Sequence, residues 1–304
     1  MNIMARSHRD CSAQSEASVY VCPDCKTPLE HLYCIKCRFE YSRVDGIPVL
    51  LSKDPRSRDA LEISAAYDSI YDNHKNAWEN QGRTPQFIDY FSSLLGRFQS
   101  RRFLEIGCGE GFLLAKLNGG EKFAVDLSTQ AIKAARTRTQ AQFSFALAER
   151  LPFPDDYFDL ATSVGVMEHF LDMNEAMREV RRVLKPGGHY VALTHVDLSF
   201  WERLVLKLWE YVVPRPRPVR FVRWLRNRLK AATRPEFIKQ PIQHRYSRRG
   251  AKAWFENNGL KVIDVIHTGR FPTLPLMGPW VVIYVTQKQA ASEQELIPCS
   301  IALS

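Results

Sequence analysis

Two groups of residues have types and spacings that could do chemistry. The first is Cys22-Pro-Asp-Cys25, then eight intervening residues, then Cys34-Ile-Lys-Cys37. Each C-x2-C knuckle can present two thiolates to one tetrahedral zinc ion. Four soft sulfurs favour Zn2+ over Mg2+ or Ca2+. A pair of disulfides or a rubredoxin-like iron site are the alternatives for the same four residues, and a reducing compartment disfavours the disulfides. The second group is Glu105-Ile-Gly107-Cys-Gly109-Glu-Gly111, with Asp126 nineteen residues after Gly107. Glycines after a strand let the backbone approach a ligand closely. A carboxylate at the end of the next strand can accept hydrogen bonds from two ribose hydroxyls.

These groups need elements to hold them. Residues 19 to 52 form a Cys-rich unit of roughly 30 residues, too small for a sufficient hydrophobic core, so a bound metal would supply folding energy. Polar residues 53 to 59 suit a linker. Helical patterning runs from Ala60 to Phe98, broken near Gly82 to Pro85. Strands and helices then alternate. Phe103 to Ile106, Phe123 to Val125, Phe143 to Leu147, Leu160 to Val164 and Tyr190 to Thr194 read as strands. Phe112 to Leu117, Ser128 to Arg138 and Met173 to Leu184 read as helices, the last stopped by Pro186-Gly187-Gly188. Helix Ser247 to Asn258 and strands Val262 to His267 and Val281 to Thr286 complete the series. Repeated βα units predict an α/β fold, a parallel sheet with helices on both faces.

The 304-residue chain is 45% hydrophobic and 25% charged, ordinary for a globular protein. No apolar run reaches the roughly 18–20 residues that span a bilayer. Residues 1 to 18 read as a disordered leader without the apolar stretch of a secretory signal, which points to a cytoplasmic protein with reduced thiols. Residues 289 to 304 read as a flexible tail. The net charge is +9, and Arg215 to Arg234 holds eight Lys or Arg and no acid. That excess falls in a helical, basic insertion, 197 to 246. There Trp201, Leu204, Val205, Leu208, Trp209 and Val212 share one helix face. A basic amphipathic helix with aromatic residues suits peripheral contact with a membrane surface through 199 to 232, and a cap packed on the sheet would show the same stripe.

The glycine loop with the following Val125-Asp126-Leu-Ser128 resembles motifs I and II of class I S-adenosylmethionine-dependent methyltransferases. So do, in order, Glu149-Arg-Leu151-Pro152-Phe153, Phe158-Asp159-Leu160, Val166-Met167-Glu168-His169 and Leu184-Lys185-Pro186-Gly187-Gly188. The resemblance covers residues 60 to 288 and is nearest to ubiquinone/menaquinone-type methyltransferases. It implies a Rossmann-like class I sheet. It places Glu105, Gly107, Gly109 and Gly111 around the methionine part of S-adenosylmethionine, Asp126 on the ribose, and Ala148 and Glu149 beside the adenine. Relatives often carry an acid where this chain has Leu147, so an adenine contact from that side chain is absent. Tyr67-Asp68 and Tyr71-Asp72 resemble the helix that covers the cofactor, with Tyr71 touching it. The N-terminal unit, through Tyr41 and Asp45-Gly46-Ile47-Pro48, resembles the zinc ribbon of small methyltransferase-activator proteins.

Methyl transfer is an in-line displacement, and a base is needed only when the nucleophile must lose a proton. His169 is the candidate base. His244 and Tyr246 are candidates for the acceptor pocket, or for capping the next helix. The expected activity is methyl transfer to a small-molecule or lipid-like acceptor, with membrane contact through the insertion. RNA methylation and a non-catalytic methyltransferase-like scaffold are the alternatives.

Overall fold

The structure is a computed structural model, and it describes residues 19–53, 56–73, 84–197, 204, 244, 246–267 and 281–290. The expected leader 1–18, most of the basic insertion and the tail beyond 290 lie outside those residues.

The Cys-rich unit consists of two short hairpins. β1 (Tyr33–Cys34) pairs antiparallel with β2 (Phe39–Glu40), and β3 (Arg43–Val44) with β4 (Ile47–Pro48). Asp45 and Gly46 turn the second hairpin with φ of 51° and 79°. Positive φ at both central residues of a two-residue loop is why Asp-Gly stands there.

Helix α1 spans Arg56–Asn73, so half of the expected linker is helical. Helix α2 (Pro85–Leu95) begins where sequence chemistry says it should. Pro85 opens it, and the Thr84 hydroxyl accepts the Phe87 amide. The alternating series follows: β5 (Arg102–Ile106), α3 (Phe112–Lys116), β6 (Glu121–Asp126), α4 (Thr129–Arg138), β7 (Gln142–Phe145), β8 (Phe158–Val164), α5 (Met173–Val183), β9 (Leu184–His195), α6 (Arg248–Asn257), β10 (Leu260–His267) and β11 (Val281–Lys288). Ser128, Asp172 and Ser247 cap α4, α5 and α6 through their side-chain oxygens.

The seven long strands form one sheet in the order β10-β11-β9-β8-β5-β6-β7. β5 to β9 are mutually parallel, whereas β11 runs antiparallel to β9 and to β10. Successive strand residues feed two separate cores: Leu104, Phe123 and Val125 one, Phe103 and Ala124 the other. That is the period-two alternation of a sheet covered on both faces.

One sequence expectation is corrected. Helix α5 ends at Val183, before Pro186-Gly187-Gly188, because Leu184 already turns extended (φ −76°, ψ 140°). β9 therefore includes the Pro-Gly-Gly segment. Its ladder with β8 slips there, pairing Leu184 with Phe158 and then His189 with Leu160. The segment is a bulge within a strand.

The ribbon sits on the free edge of the sheet. Val49 bridges Phe145 in parallel, and the Leu50 amide donates to the Phe145 carbonyl at 2.8 Å. The Tyr20 hydroxyl donates to the Phe143 carbonyl at 3.1 Å, and the Val21 amide to the Pro152 carbonyl at 3.0 Å. Tyr20 packs its ring on Phe153, which joins Phe123 and Phe158 in an aromatic cluster with centroids 5.0–5.8 Å apart. Lys26 closes the contact by bonding Glu179 of α5 at 2.7 Å.

Candidate functional site

The β5 strand lies between β6 and β8, where the direction of winding reverses. In open α/β sheets ligands bind at this point, beyond the carboxyl ends of the strands. A cavity opens there. Its floor is Ile106-Gly107 from β5 and Val125-Asp126 from β6. One wall is Ala146 to Glu149, another Gly165-Val166 and His169 to Leu171, and α1 covers it with Ile63, Tyr67 and Tyr71.

The glycine loop has the conformation its sequence implies. Gly107, Gly109 and Gly111 have φ of 70°, 52° and 75°. A Cβ on Gly107 would meet the Val166 γ-carbons at 2.6 Å, and one on Gly111 would meet the Ala135 Cβ at 2.8 Å. Positive φ and absent side chains are both required here. Asp126 is fixed at the loop's rim. One carboxylate oxygen accepts the Gly109 amide at 2.7 Å and the other the Ser128 amide at 2.9 Å. Each oxygen keeps acceptor capacity for a further donor. Glu105 is buried at the end of β5 beneath the loop.

Helix α1 is tied over the cavity by Asp68. Its carboxylate accepts the Ser128 hydroxyl at 2.6 Å, the Thr129 hydroxyl at 3.0 Å and the Gln130 amide at 3.2 Å. Tyr67, on the same helix, packs edge-on against His169 with centroids 6.3 Å apart. The Tyr67 hydroxyl oxygen is buried and finds no partner among the described residues. Burial, with Asp126 and Glu168 nearby, raises its pKa far above the ordinary range. A buried hydroxyl aimed into a cavity calls for a polar atom from a ligand or water.

Sequence-predicted residues divide into two sets. Gly107, Asp126, Ala148, Glu149, Tyr71 and His169 line the one cavity together. The Glu149 side chain is nonetheless engaged inward, accepting the Leu171 amide at 2.6 Å and the Asp172 amide at 3.2 Å. Burial pushes its carboxyl upward, and those amide hydrogen bonds offset part of that. It shapes the wall at the start of α5. Leu147 completes an apolar wall.

His244 and Tyr246 do not line the cavity. The buried Tyr246 donates its hydroxyl to the Met167 carbonyl at 2.6 Å. The His244 amide donates to the Glu168 carbonyl at 2.7 Å, and its Nε2 lies 3.0 Å from the Phe170 carbonyl. Both brace the Met167–Phe170 segment from behind. The sequence also missed the pairing of Glu168 with His195 at 2.6 Å. The signal for it was a histidine at the end of a strand that feeds the reactive edge.

The four cysteines meet as expected. Their sulfur atoms lie within 4.8 Å of one another, with Cys25 to Cys34 at 3.5 Å and Cys22 to Cys37 at 3.9 Å. All four are free cysteines. A tetrahedral zinc site with bonds of about 2.3 Å has edges of about 3.8 Å. The Cys37 amide points at Cys34 Sγ (3.3 Å) and the Tyr41 hydroxyl at Cys22 Sγ (3.1 Å), contacts suited to thiolates. The donor set fits zinc.

Comparison with known proteins agrees with this geometry. The methyltransferase domain family matches residues 104–192. The seven-stranded sheet has the fold of class I methyltransferase domains. Among curated relatives, a ubiquinone biosynthesis O-methyltransferase from Alkalilimnicola ehrlichii is 30% identical over 132 residues, covering 38% of this chain and 53% of that protein. A ubiquinone/menaquinone biosynthesis C-methyltransferase from Pectobacterium carotovorum is 35% identical over 107 residues, covering 31% and 43%. The chain thus spans about half the length of the curated relatives it matches. Among solved structures, a possible histamine N-methyltransferase from Thermotoga maritima shares the methyltransferase fold with a TM-score of 0.51 at 19% identity, covering 74% of this chain and 99% of that one.

Proposed function

We propose that this chain transfers the methyl group of S-adenosylmethionine to a small-molecule or lipid-like acceptor. The observation that carries the reading is the cavity that gathers Gly107, Asp126, Ala148 and Tyr71 at the winding reversal of the sheet. The residues present fit the donor. The backbone of the glycine loop, with Glu105 beneath it, accommodates the methionine part. Asp126, already oriented by two amides, accepts the ribose hydroxyls. The apolar strip Ala146 to Ala148 takes the adenine, and the buried Tyr67 hydroxyl gains a partner. When bound, the sulfonium supplies an activated methyl group. The chain's part is to align the acceptor with it and exclude water.

The ubiquinone-pathway relatives favour a small aromatic or prenylated acceptor, which a membrane surface would supply. The segment 199–232 offers a basic aromatic face for such a surface, on its sequence alone. Zinc held by Cys22, Cys25, Cys34 and Cys37 would be structural. No helix among the described residues is long and apolar enough to cross a membrane.

Titration calorimetry with S-adenosylmethionine and S-adenosylhomocysteine tests the reading. Saturable binding is expected, weakened at least ~10-fold by Asp126→Ala, since hydrogen bonds to a charged group contribute about 1.5–3 kcal/mol. No binding by folded wild-type protein would leave only a scaffold.

A further inference from the structure

The methyltransferase reading leaves one buried acid unused. Glu168 is 3% exposed and sits in the short turn Met167–His169, just past the end of β8. One carboxylate oxygen accepts the Thr194 hydroxyl at 3.2 Å, and the other lies 2.6 Å from Nδ1 of His195. His195 is the last residue of β9. Its strand pairs Leu193 with Val164, so His195 stands at the same edge of the sheet as Gly165 and Val166, which line the cavity, just outside that lining. The chain leaves for the basic insertion two residues later. It returns beside the same turn, with Asp197 N to Tyr246 O at 2.7 Å and His244 N to Glu168 O at 2.7 Å.

We propose that His195 is the general base that takes a proton from a hydroxyl-bearing acceptor of the phenol class, with Glu168 as its positioning residue. The inference rests on the methyl-transfer reading above. A carboxylate has no proton to give, so Nδ1 must donate to it, and this tautomer leaves Nε2 as the proton acceptor. The His195 side chain is 59% exposed while its partner is 4% exposed, so the buried acid holds one edge of the ring and the other faces outward. Burial pushes the Glu168 carboxyl up, but the hydrogen bond to His195 outweighs this and holds it below the ordinary carboxylate range. Among the described residues, the other titratable groups facing Glu168 are Tyr67 on α1, Tyr190 on β9 and Tyr246. Burial raises all three, so they stay neutral. His169 packs on Tyr67 inside the cavity, where it shapes the methyl-donor pocket.

In the step, the acceptor O–H proton moves to Nε2. The oxygen lone pair forms the new bond to the methyl carbon, the C–S bond breaks, and its electron pair stays on sulfur. The products are a methyl ether, neutral S-adenosylhomocysteine and an imidazolium whose charge Glu168 balances. This is the division of labour of a buried acid that orients a catalytic histidine.

The test compares two phenols. Calorimetry first establishes that S-adenosylmethionine binds. Single-turnover transfer from labelled S-adenosylmethionine is then measured with phenol, whose pKa is close to the ~10 of tyrosine, and with 4-nitrophenol, which is largely ionised at about pH 8. His195→Ala should lose about 100-fold or more with phenol and no more than about 5-fold with 4-nitrophenol, because only phenol needs the base. His195→Gln keeps a donor toward Glu168 and should fold while behaving alike. Glu168→Gln should show the same contrast, and Glu168→Asp should recover part of the phenol rate. Equal losses on both phenols would overturn the proposal and mark the pair as structural. Transfer to neither phenol by wild-type protein that binds the donor would overturn it too. Failure of the wild type to bind the donor would instead remove the methyl-transfer reading beneath it.

Discussion

The carboxylate of Asp68 on α1 accepts a 2.6 Å hydrogen bond from Ser128, the residue whose own oxygen caps α4. One serine thereby starts one helix and anchors another over the cavity. Asp68→Ala removes three acceptor contacts at once, each a net ~0.5–1.5 kcal/mol. Affinity for S-adenosylmethionine should fall about 10-fold, because α1 supplies Ile63, Tyr67 and Tyr71 to the cover. Far-ultraviolet circular dichroism should be nearly unchanged. Unaltered affinity would mean that α1 does not cover the bound donor.

Gly107→Ala is expected to abolish donor binding. The position has φ of 70°, and a Cβ there would overlap both Val166 γ-carbons at 2.6 Å. The strain costs of the order of 1–3 kcal/mol in stability, readable as a lower midpoint in urea. Calorimetry should detect no binding even where the variant is folded.

Removing zinc should weaken donor binding without any cysteine touching the donor. The ribbon grips both flanks of the wall Ala146 to Glu149, through Phe143 and Phe145 on one side and Leu151 and Pro152 on the other. Metal analysis is expected to find one zinc per chain, lost in Cys34→Ser. Chelated protein should retain the sheet by circular dichroism yet bind S-adenosylmethionine several-fold more weakly. Equal affinity with and without metal would make the ribbon an independent module.

Asp159 should steepen acid unfolding. Burial raises its carboxyl, but the Lys185 ammonium and the Arg101 and Arg102 amides, which donate at 2.9 and 2.8 Å, outweigh that and hold it low. A depressed native value stabilises the fold above the unfolded pKa of about 3.9, and the contribution disappears as pH falls through the native value. Asp159→Asn should therefore lower stability near neutrality by about 1–3 kcal/mol. Its thermal midpoint should change less than wild type between about pH 5 and pH 2. Parallel acid profiles would show that folding does not depress this carboxyl's pKa.

The parts of the site legible in the sequence are those fixed by local spacing. A strand, a glycine turn and an acid one βα unit later put Gly107 and Asp126 in one place whatever surrounds them. Two knuckles similarly brought four sulfurs together. What escaped depends on tertiary partners. Glu149 lines the cavity as the spacing suggested, but the sequence did not show that its carboxylate is committed to amides 22 and 23 residues away. Tyr246 and His244 were candidates because they close the insertion, and the structure spends them on the carbonyls of Met167, Phe170 and Glu168. Pro186-Gly187-Gly188 read as a helix stop because those residues break helices. A strand with a slipped register accommodates them equally well.

The position of the ribbon has a consequence beyond the cavity. β7 is the last strand of the sheet, and Phe143 and Phe145 turn their carbonyls outward along it. Tyr20 and Leu50 occupy both. An uncovered strand of this kind is a template on which another molecule's chain can pair. The N-terminal segment is thus also a guard against aggregation, and a metal that folds it would set the solubility of the whole protein. Zinc starvation would then send the chain toward oligomers and precipitation.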